Sequence, residues 1–277
     1  MKVKFIGTAA ATSCPLAFCN CAACTAGRKN GGKDLRRRSS VLIDDVLLID
    51  MGPDLMTASF AFGIDTAKIR YLLQTHSHSD HFDAGHFITR MAEYATEDLT
   101  HLTVCCSEPC AVHMSEKLGR EEHGATLLDE GWRERLGVDL RTMRHGETVR
   151  LGEYEITAVE SAHDINDGSL MYLIRKGDAA FLYACDTPLL TDGAWELLEN
   201  LPFPITAAAC DQTYGPGTPG GGHMHADQTA AFAARLKGTA VYATHISHEG
   251  TPPHAQLEQW TKERGYQVAY DGLTLYL

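Results

Sequence analysis

No stretch of this sequence approaches the roughly 20 apolar residues that a membrane-spanning helix needs. The opening MKVKFIGTAAATS holds two lysines but only a glycine-interrupted apolar run, too short for a secretory leader. A cytoplasmic protein with no membrane partner is therefore expected. Basic residues are scarce as well: 24 Lys and Arg stand against 36 Asp and Glu, a formal net charge of −12 over 277 residues. Such a surface repels phosphate backbones, so long nucleic acid is not an expected partner. Repeats, low-complexity tracts and linkers are also missing, which points to a single domain over residues 1–277. With 44% hydrophobic residues the chain can bury a substantial core.

What is present begins with cysteine. There are nine, and reduced cytosolic thiols serve more often as ligands, nucleophiles or buried small hydrophobes than as disulfides. Three of them, Cys19, Cys21 and Cys24, are clustered in FCNCAACTAGRKNGGKDLRRRSS. That stretch also carries Arg28, Lys29, Lys33, Arg36, Arg37 and Arg38, a basic group that either faces a small anion or is simply a solvated, ion-paired loop. Cys185 and Cys210 precede aspartates on strands, and with a period of two they point away from those aspartates into the core. Cys105, Cys106 and Cys110 lie in apolar surroundings and read as packing, as does Cys14.

Short β-branched runs separated by turn residues mark strands in VKFIG and in SSVLIDDVLLIDMG. Then DTAKIR reads as a short helix, YLLQT as a strand, and Phe87, Ile88, Met91 and Tyr94 recur at helical spacing. LTVCC reads as a strand and EPCAVHMSEKLG as a helix. Sandwich-like strands follow in GETVRLGEYEITAVE and SLMYLIRKGDAAFLYACD. The second half alternates helix and strand through DGAWELLENL, ITAAACD, ADQTAAFAARL and TAVYATHISH, and ends with a helix HAQLEQWTKERG and a strand YQVAYDGLTLYL. Strands in two halves with helices interspersed suggest an α/β (α+β) four-layer αββα sandwich.

The loop THSHSDH sets His76, His78, Asp80 and His81 just past a strand end, a density of imidazole and carboxylate that packing does not require. Mixed N and O donors suit Zn²⁺, Mn²⁺ or Fe²⁺. His163, Asp186 and His245 each end an apolar strand further on. If those ends converge, His76, His78 and His163 hold one ion, Asp80, His81 and His245 a second, and Asp186 bridges them. Two ions about 3.5–4 Å apart polarise a phosphoryl or carbonyl oxygen and generate hydroxide near neutral pH.

The H-x-H-x-D-H loop, with His, Asp and His downstream in this order, resembles the metallo-β-lactamase superfamily along the whole chain. The resemblance implies the αββα sandwich and a hydrolase, with Asp50 in LLIDMG supporting the ligands rather than joining them. Within the superfamily, the C-x-C-x-x-C cysteines resemble those of the phosphodiesterase of the carbon–phosphorus lyase pathway. That implies a structural zinc on Cys19, Cys21, Cys24 and His248 in an N-terminal loop of about residues 14–38. It also implies that His223, in GGHMHADQ, lies over the phosphate; an imidazole there is suited to protonate the leaving alkoxide, so His223 and Asp80 are the expected catalytic residues, with the choice between His223 and His225 as proton donor left open. His225 then becomes a helix cap or substrate contact, and Asp211 a residue orienting His223 or a ligand. The expected function is hydrolysis of small or cyclic phosphodiesters with two active-site ions and a small anionic substrate; a homodimer stays open. The other readings are a pyrroloquinoline quinone B-type cofactor-biosynthesis protein, an acyl or thioester hydrolase, and a catalytically silent zinc scaffold.

Overall fold

In the segment Leu47–Ile49 all three residues are buried, yet Leu47 and Ile49 join one hydrophobic cluster and Leu48 another. Phe181 and Tyr183 alternate with Leu182 and Ala184 in the same way. Side chains of a strand alternate between faces, so such runs belong to sheets covered on both sides. The computed structural model, which describes residues 1–95 and 99–277, shows this arrangement.

The elements are β1 (Lys2–Gly7), α1 (Ala22–Asn30), β2 (Ser40–Ile43), β3 (Leu47–Ile49), α2 (Leu55–Phe62), β4 (Tyr71–Leu73), α3 (Gly85–Ile88), β5 (Leu102–Cys106), α4 (Glu108–Glu121), α5 (Glu130–Leu136), β6 (Val138–Thr142), β7 (Thr148–Leu151), β8 (Tyr154–Glu160), β9 (Leu170–Lys176), β10 (Ala179–Ala184), α6 (Asp192–Glu199), β11 (Ala207–Asp211), α7 (Ala226–Arg235), β12 (Ala240–Thr244), α8 (His254–Lys262), β13 (Gln267–Val268) and β14 (Thr274–Tyr276). They build two seven-stranded sheets, ordered β14-β1-β2-β3-β4-β5-β6 and β13-β12-β11-β10-β9-β8-β7. Phe5, Ile49, Leu73, Tyr172, Phe181 and Tyr183 pack between the sheets. Full burial of each such side chain contributes roughly 1.5–3 kcal/mol. Helices cover the outer faces: Met114 and Leu118 of α4 lie on the first sheet, Trp195 of α6 and Phe232 of α7 on the second. This is the four-layer αββα sandwich.

Local signals account for the helices. Ser107 caps α4 by accepting from the Cys110 N–H, Pro109 sits in its first turn, and Cys110, Ala111, Met114, Ser115 and Leu118 form the buried stripe. Thr191 caps α6 in the same manner.

Three elements, α2, α5 and β6, fall in stretches that the sequence reading left unassigned, and four others depart from it. The helix expected through Tyr94 closes at Ile88 and continues as turns, leaving Tyr94 exposed. The cysteine loop contains α1, with Cys21 at its N-cap and Cys24 inside it. DTAKIR forms only a 3₁₀ turn over Thr66–Lys68. The last strand divides: β13 joins the second sheet, and after a turn through Gly272 at φ 96° β14 joins the first. Strand character was legible there, but which sheet each half joins depends on partners far away in sequence.

Candidate metal centre

In both sheets the parallel strands end at the same edge, and the polar residues follow immediately: Asp50 after β3, the His76–His81 loop after β4, Asp186 after β10, Asp211 closing β11 and His245 after β12. The carboxyl ends of parallel strands are where such folds gather ligands. Asp50, Asp186 and His245 have φ of 63°, 52° and 56°. Left-handed backbone is costly for non-glycine residues and concentrates at functional sites. Here it turns each side chain off its strand into the shared site. Gly52 supports the same turn, because a Cβ there would lie 2.3 Å from the Asp80 carbonyl oxygen.

His76, Asp80, His81, Asp186 and His245 are buried. Asp186 lies at the centre: its Oδ2 is 3.1 Å from His76 Nε2, 3.2 Å from His81 Nε2 and 3.5 Å from His245 Nε2, and its Oδ1 is 3.3 Å from His163 Nδ1. Asp80 Oδ2 lies 3.2 Å from His81 Nε2 and 3.6 Å from His245 Nε2. His78 Nδ1 lies 3.2 Å from His163 Nε2. Two donor groups result, His76–His78–His163–Asp186 and Asp80–His81–Asp186–His245, each with its ligand atoms within 4.8 Å of one another. This is the pair expected from sequence, with Asp186 shared.

The donor chemistry fits divalent cations. His76 Nε2 and Asp186 Oδ1 are buried and have no aligned hydrogen-bond partner despite their crowded neighbours, and a cation held between the donors would satisfy such atoms. Burial pushes His76 down, with His81 adding to it, and burial pushes His163 down to about 4. Burial alone would raise Asp80 and Asp186, but the imidazoles around them, His81 beside Asp80 and His245 beside Asp186, hold both below the usual carboxylate range. His81 moves upward against its burial because Asp80 and Asp50 flank it. Ionised carboxylates and imidazoles presenting lone pairs are the forms that bind metal.

A further layer sets which ring nitrogen faces inward. His81 Nδ1 donates to Asp50 Oδ2 at 2.7 Å. His76 Nδ1 donates to Thr75 Oγ1 at 3.0 Å, which donates to Asp50 at 2.8 Å. The second sheet repeats the device: His245 Nδ1 donates to Thr213 Oγ1 at 2.8 Å, and Thr213 Oγ1 donates to Asp211 Oδ1 at 3.0 Å. Each relay leaves Nε2 for the ion. His78 is held the other way round, its Nε2 donating to Asp164 Oδ2 at 3.2 Å. Sequence reading assigned Asp50 and Asp211 to support but missed Thr75, Thr213 and Asp164, although each is adjacent to or two residues from a residue it did name.

His223 Nδ1 lies 2.9 Å from Asp186 Oδ1 and 3.2 Å from Asp211 Oδ2. Despite burial, these two carboxylates push it up to about 10. Asp186, Asp211, His223 and His245 thus form another close donor group. The oxygens of Asp211 are already committed, Oδ1 to Thr213 N–H and Oγ1 and to Met224 N–H, Oδ2 to Thr187 N–H, so Asp211 orients rather than ligates. His225 is the N-cap residue of α7, its N–H donating to Gln228 Oε1 at 3.1 Å. The structure therefore gives it the capping role.

The cysteine cluster also closes. His248 Nδ1 lies 3.3 Å from Cys21 Sγ and 3.6 Å from Cys19 Sγ, and Cys24 Sγ completes the group within 4.8 Å. A tetrahedral zinc with its usual bond lengths has S···N edges of about 3.6 Å, so the spacing fits. Most of the basic group nearby is engaged within the chain. Arg36 is buried against Thr8, Ala269 and His254, Arg37 pairs with Asp271, Arg38 with Asp54 and Lys33 with Glu258. The ion-paired reading of that run is the one the structure supports. Cys105, Cys106, Cys110, Cys185 and Cys210 are buried as packing residues.

Residues 46–246 match the family model of the β-lactamase superfamily domain. The chain belongs to this superfamily. No curated protein sequence matches it. Among solved structures, a diphosphatase from the PhnP family is 24% identical, covering 99% of this chain and 96% of that one with a TM-score of 0.73. Zn²⁺-bound PqqB from Methylobacterium extorquens is 19% identical over the full length of both chains, TM-score 0.76. The short form of human tRNase Z is 14% identical over 100% and 99% of the two chains, TM-score 0.64. At such identities the likeness is one of fold. The superfamily match holds every ligand of the two His–Asp groups but stops at residue 246. Both halves of the cysteine cluster, Cys19–Cys24 and His248, lie outside it.

Proposed function

We propose that this superfamily hydrolase cleaves small or cyclic phosphodiesters. The observation that carries the reading is His223, which stands apart from the two expected ligand groups yet is held by a hydrogen bond from Nδ1 to Asp211 Oδ2, with Asp186 Oδ1 2.9 Å away, leaving Nε2 as its free ring nitrogen. His76, His78, His163 and Asp186 would hold one divalent ion, and Asp80, His81, His245 and Asp186 a second, Zn or Mn, with Fe as a further candidate. Such a pair would supply electrophilic polarisation of a phosphoryl oxygen and a lowered pKa for an attacking water. A third, structural zinc belongs on Cys19, Cys21, Cys24 and His248.

Within this frame Asp80 fixes the second group and accepts a hydrogen bond from the attacking water, and His223 gives a proton to the departing alkoxide. His225, whose backbone caps α7, is kept in this proposal as a substrate contact. The substrate is small and anionic, and the thiol-rich clip suits a reducing, cytoplasmic setting. The PhnP-family neighbour is a diphosphatase, so a disubstituted diphosphate belongs in the assay with a bis(nitrophenyl) phosphodiester, a cyclic phosphodiester, a phosphomonoester and a thioester. Turnover of the diesters but not the monoester is expected. Turnover of the thioester alone would replace this reading with acyl transfer to water. The full-length fold likeness to PqqB supports a second reading, a cofactor-biosynthesis role, which inactivity on the whole panel by metal-loaded protein would favour.

A further inference from the structure

Ser77 stands between the ligands His76 and His78, and both of its flanking peptide groups are pinned by charged side chains remote in sequence. Its N–H donates to Asp167 Oδ2, and its carbonyl accepts from Lys117 Nζ. Asp167 is 2% exposed and takes a second hydrogen bond from His113 Nδ1 at 2.6 Å. His113 and Lys117 sit four residues apart on α4, so they share one face of that helix. The loop carrying Asp167 is itself locked to α4, because the helix-capping Ser107 Oγ donates to the Asp167 carbonyl at 2.9 Å. The same loop supplies Asp164, which holds His78. A buried carboxylate is costly unless it is used, and nothing in the two threonine relays or the cysteine clip uses this one.

We infer that Asp167, with His113 and Lys117 of α4, is a positioning unit that sets the spacing of His76 and His78 and so the affinity of the ion they share, whereas the second ion rests on His81 held by Asp50 and on His245 held through Thr213 by Asp211. The inference rests on the two-ion reading of the site, and the experiment separates the two. Zinc and manganese binding to the full chain is measured by competition with a chromophoric chelator, alongside thermal unfolding, for wild type and for Asp167→Ala, Asp167→Asn and Lys117→Met. Wild type is expected to bind a pair of ions besides the cysteine-bound one. Asp167→Ala is expected to weaken one ion of the pair by roughly 10–100-fold, the usual effect of losing an outer partner of a ligand, and to leave the other unchanged. Asp167→Asn, which still accepts from the Ser77 N–H, should recover most of that affinity, and Lys117→Met should weaken the same ion. Unchanged affinity for both ions in a folded Asp167→Ala, or equal weakening of both in Asp167→Ala or Lys117→Met, would overturn the positioning role. Absence of the pair in wild type would overturn the two-ion reading, and this inference with it.

Discussion

At the scale of single residues, the proposed function separates groups that would hold ions from groups that would act on substrate, and substitutions should separate them too. On that proposal, removing Asp80 or His81 deletes a ligand from a folded scaffold. Asp80→Ala and His81→Ala are expected to abolish hydrolysis and lose one ion while the circular dichroism spectrum is kept. Retention of both ions by either variant would contradict the assignment. His223 has a different signature. His223→Ala should keep every ion yet slow diesters with poor alkoxide leaving groups by roughly 10²–10⁴-fold, the usual scale of general acid catalysis. Nitrophenyl esters leave without protonation and should be slowed less. Equal slowing of both, through KM alone, would make His223 a phosphate contact. Gly52→Ala tests the support: its Cβ would meet the Asp80 carbonyl at 2.3 Å, so the Asp80–His81 turn must shift, and activity should fall more than stability does.

At the scale of elements, the cysteine clip joins α1 to the turn after β12, where His245 and His248 are three residues apart. Three thiolates and an imidazole close a tetrahedron without an open position, so this ion should resist chelators that strip the His–Asp pair. Cys21→Ser is expected to lower metal content by about one ion per chain and to lower the melting temperature, with a smaller effect on turnover. Full metal content at an unchanged melting temperature in that variant would show that no clip ion exists. The four donors of the proposed clip were named in sequence from a family resemblance, but the helix that carries two of them was not. AACTAGRKN is short and its buried face is only Ala23, Cys24 and Gly27, too little periodic signal to register. The final strand shows the same limit, since two residues of β13 and three of β14 carry strand propensity but no address.

At the scale of the molecule, a buried polar cluster ties the N-terminal segment to the C-terminal one. Arg36 donates to Thr8 Oγ1, to the Ala269 carbonyl and to His254 Nδ1, at 2.7, 2.7 and 2.9 Å. His254 must therefore stay neutral: burial, and then the Arg36 guanidinium, push it down to about 4. Above pH 6.5 neither folded nor unfolded chain protonates this ring, and its contribution to stability is constant. As pH falls from 6.5 towards 4 the unfolded chain takes up a proton that the folded one refuses, and stability falls by up to about 3 kcal/mol. His254→Gln, which still offers Arg36 an acceptor, should flatten that part of the profile. Urea midpoints at pH 7.5, 5.5 and 4.5 measure it, and parallel profiles for variant and wild type would exclude His254 as the cause.

The sequence by itself determined the layers and singled out the candidate ligands. Uninterrupted apolar strands can only be covered on both faces, and His76, His78, Asp80 and His81 declare a metal through density alone; His163, Asp186 and His245 follow because each ends such a strand. Only the tertiary structure decided how those ligands are aimed. The proton relays through Thr75 and Thr213, the hold of Asp164 on His78 and the pinning of Ser77 by Asp167 and Lys117 all use common residues whose neighbours lie up to 90 positions away. A threonine or an aspartate carries no sign in the sequence of which hydrogen bond it will complete. That is set by the packing of one sheet on the other, which brings the strand ends together.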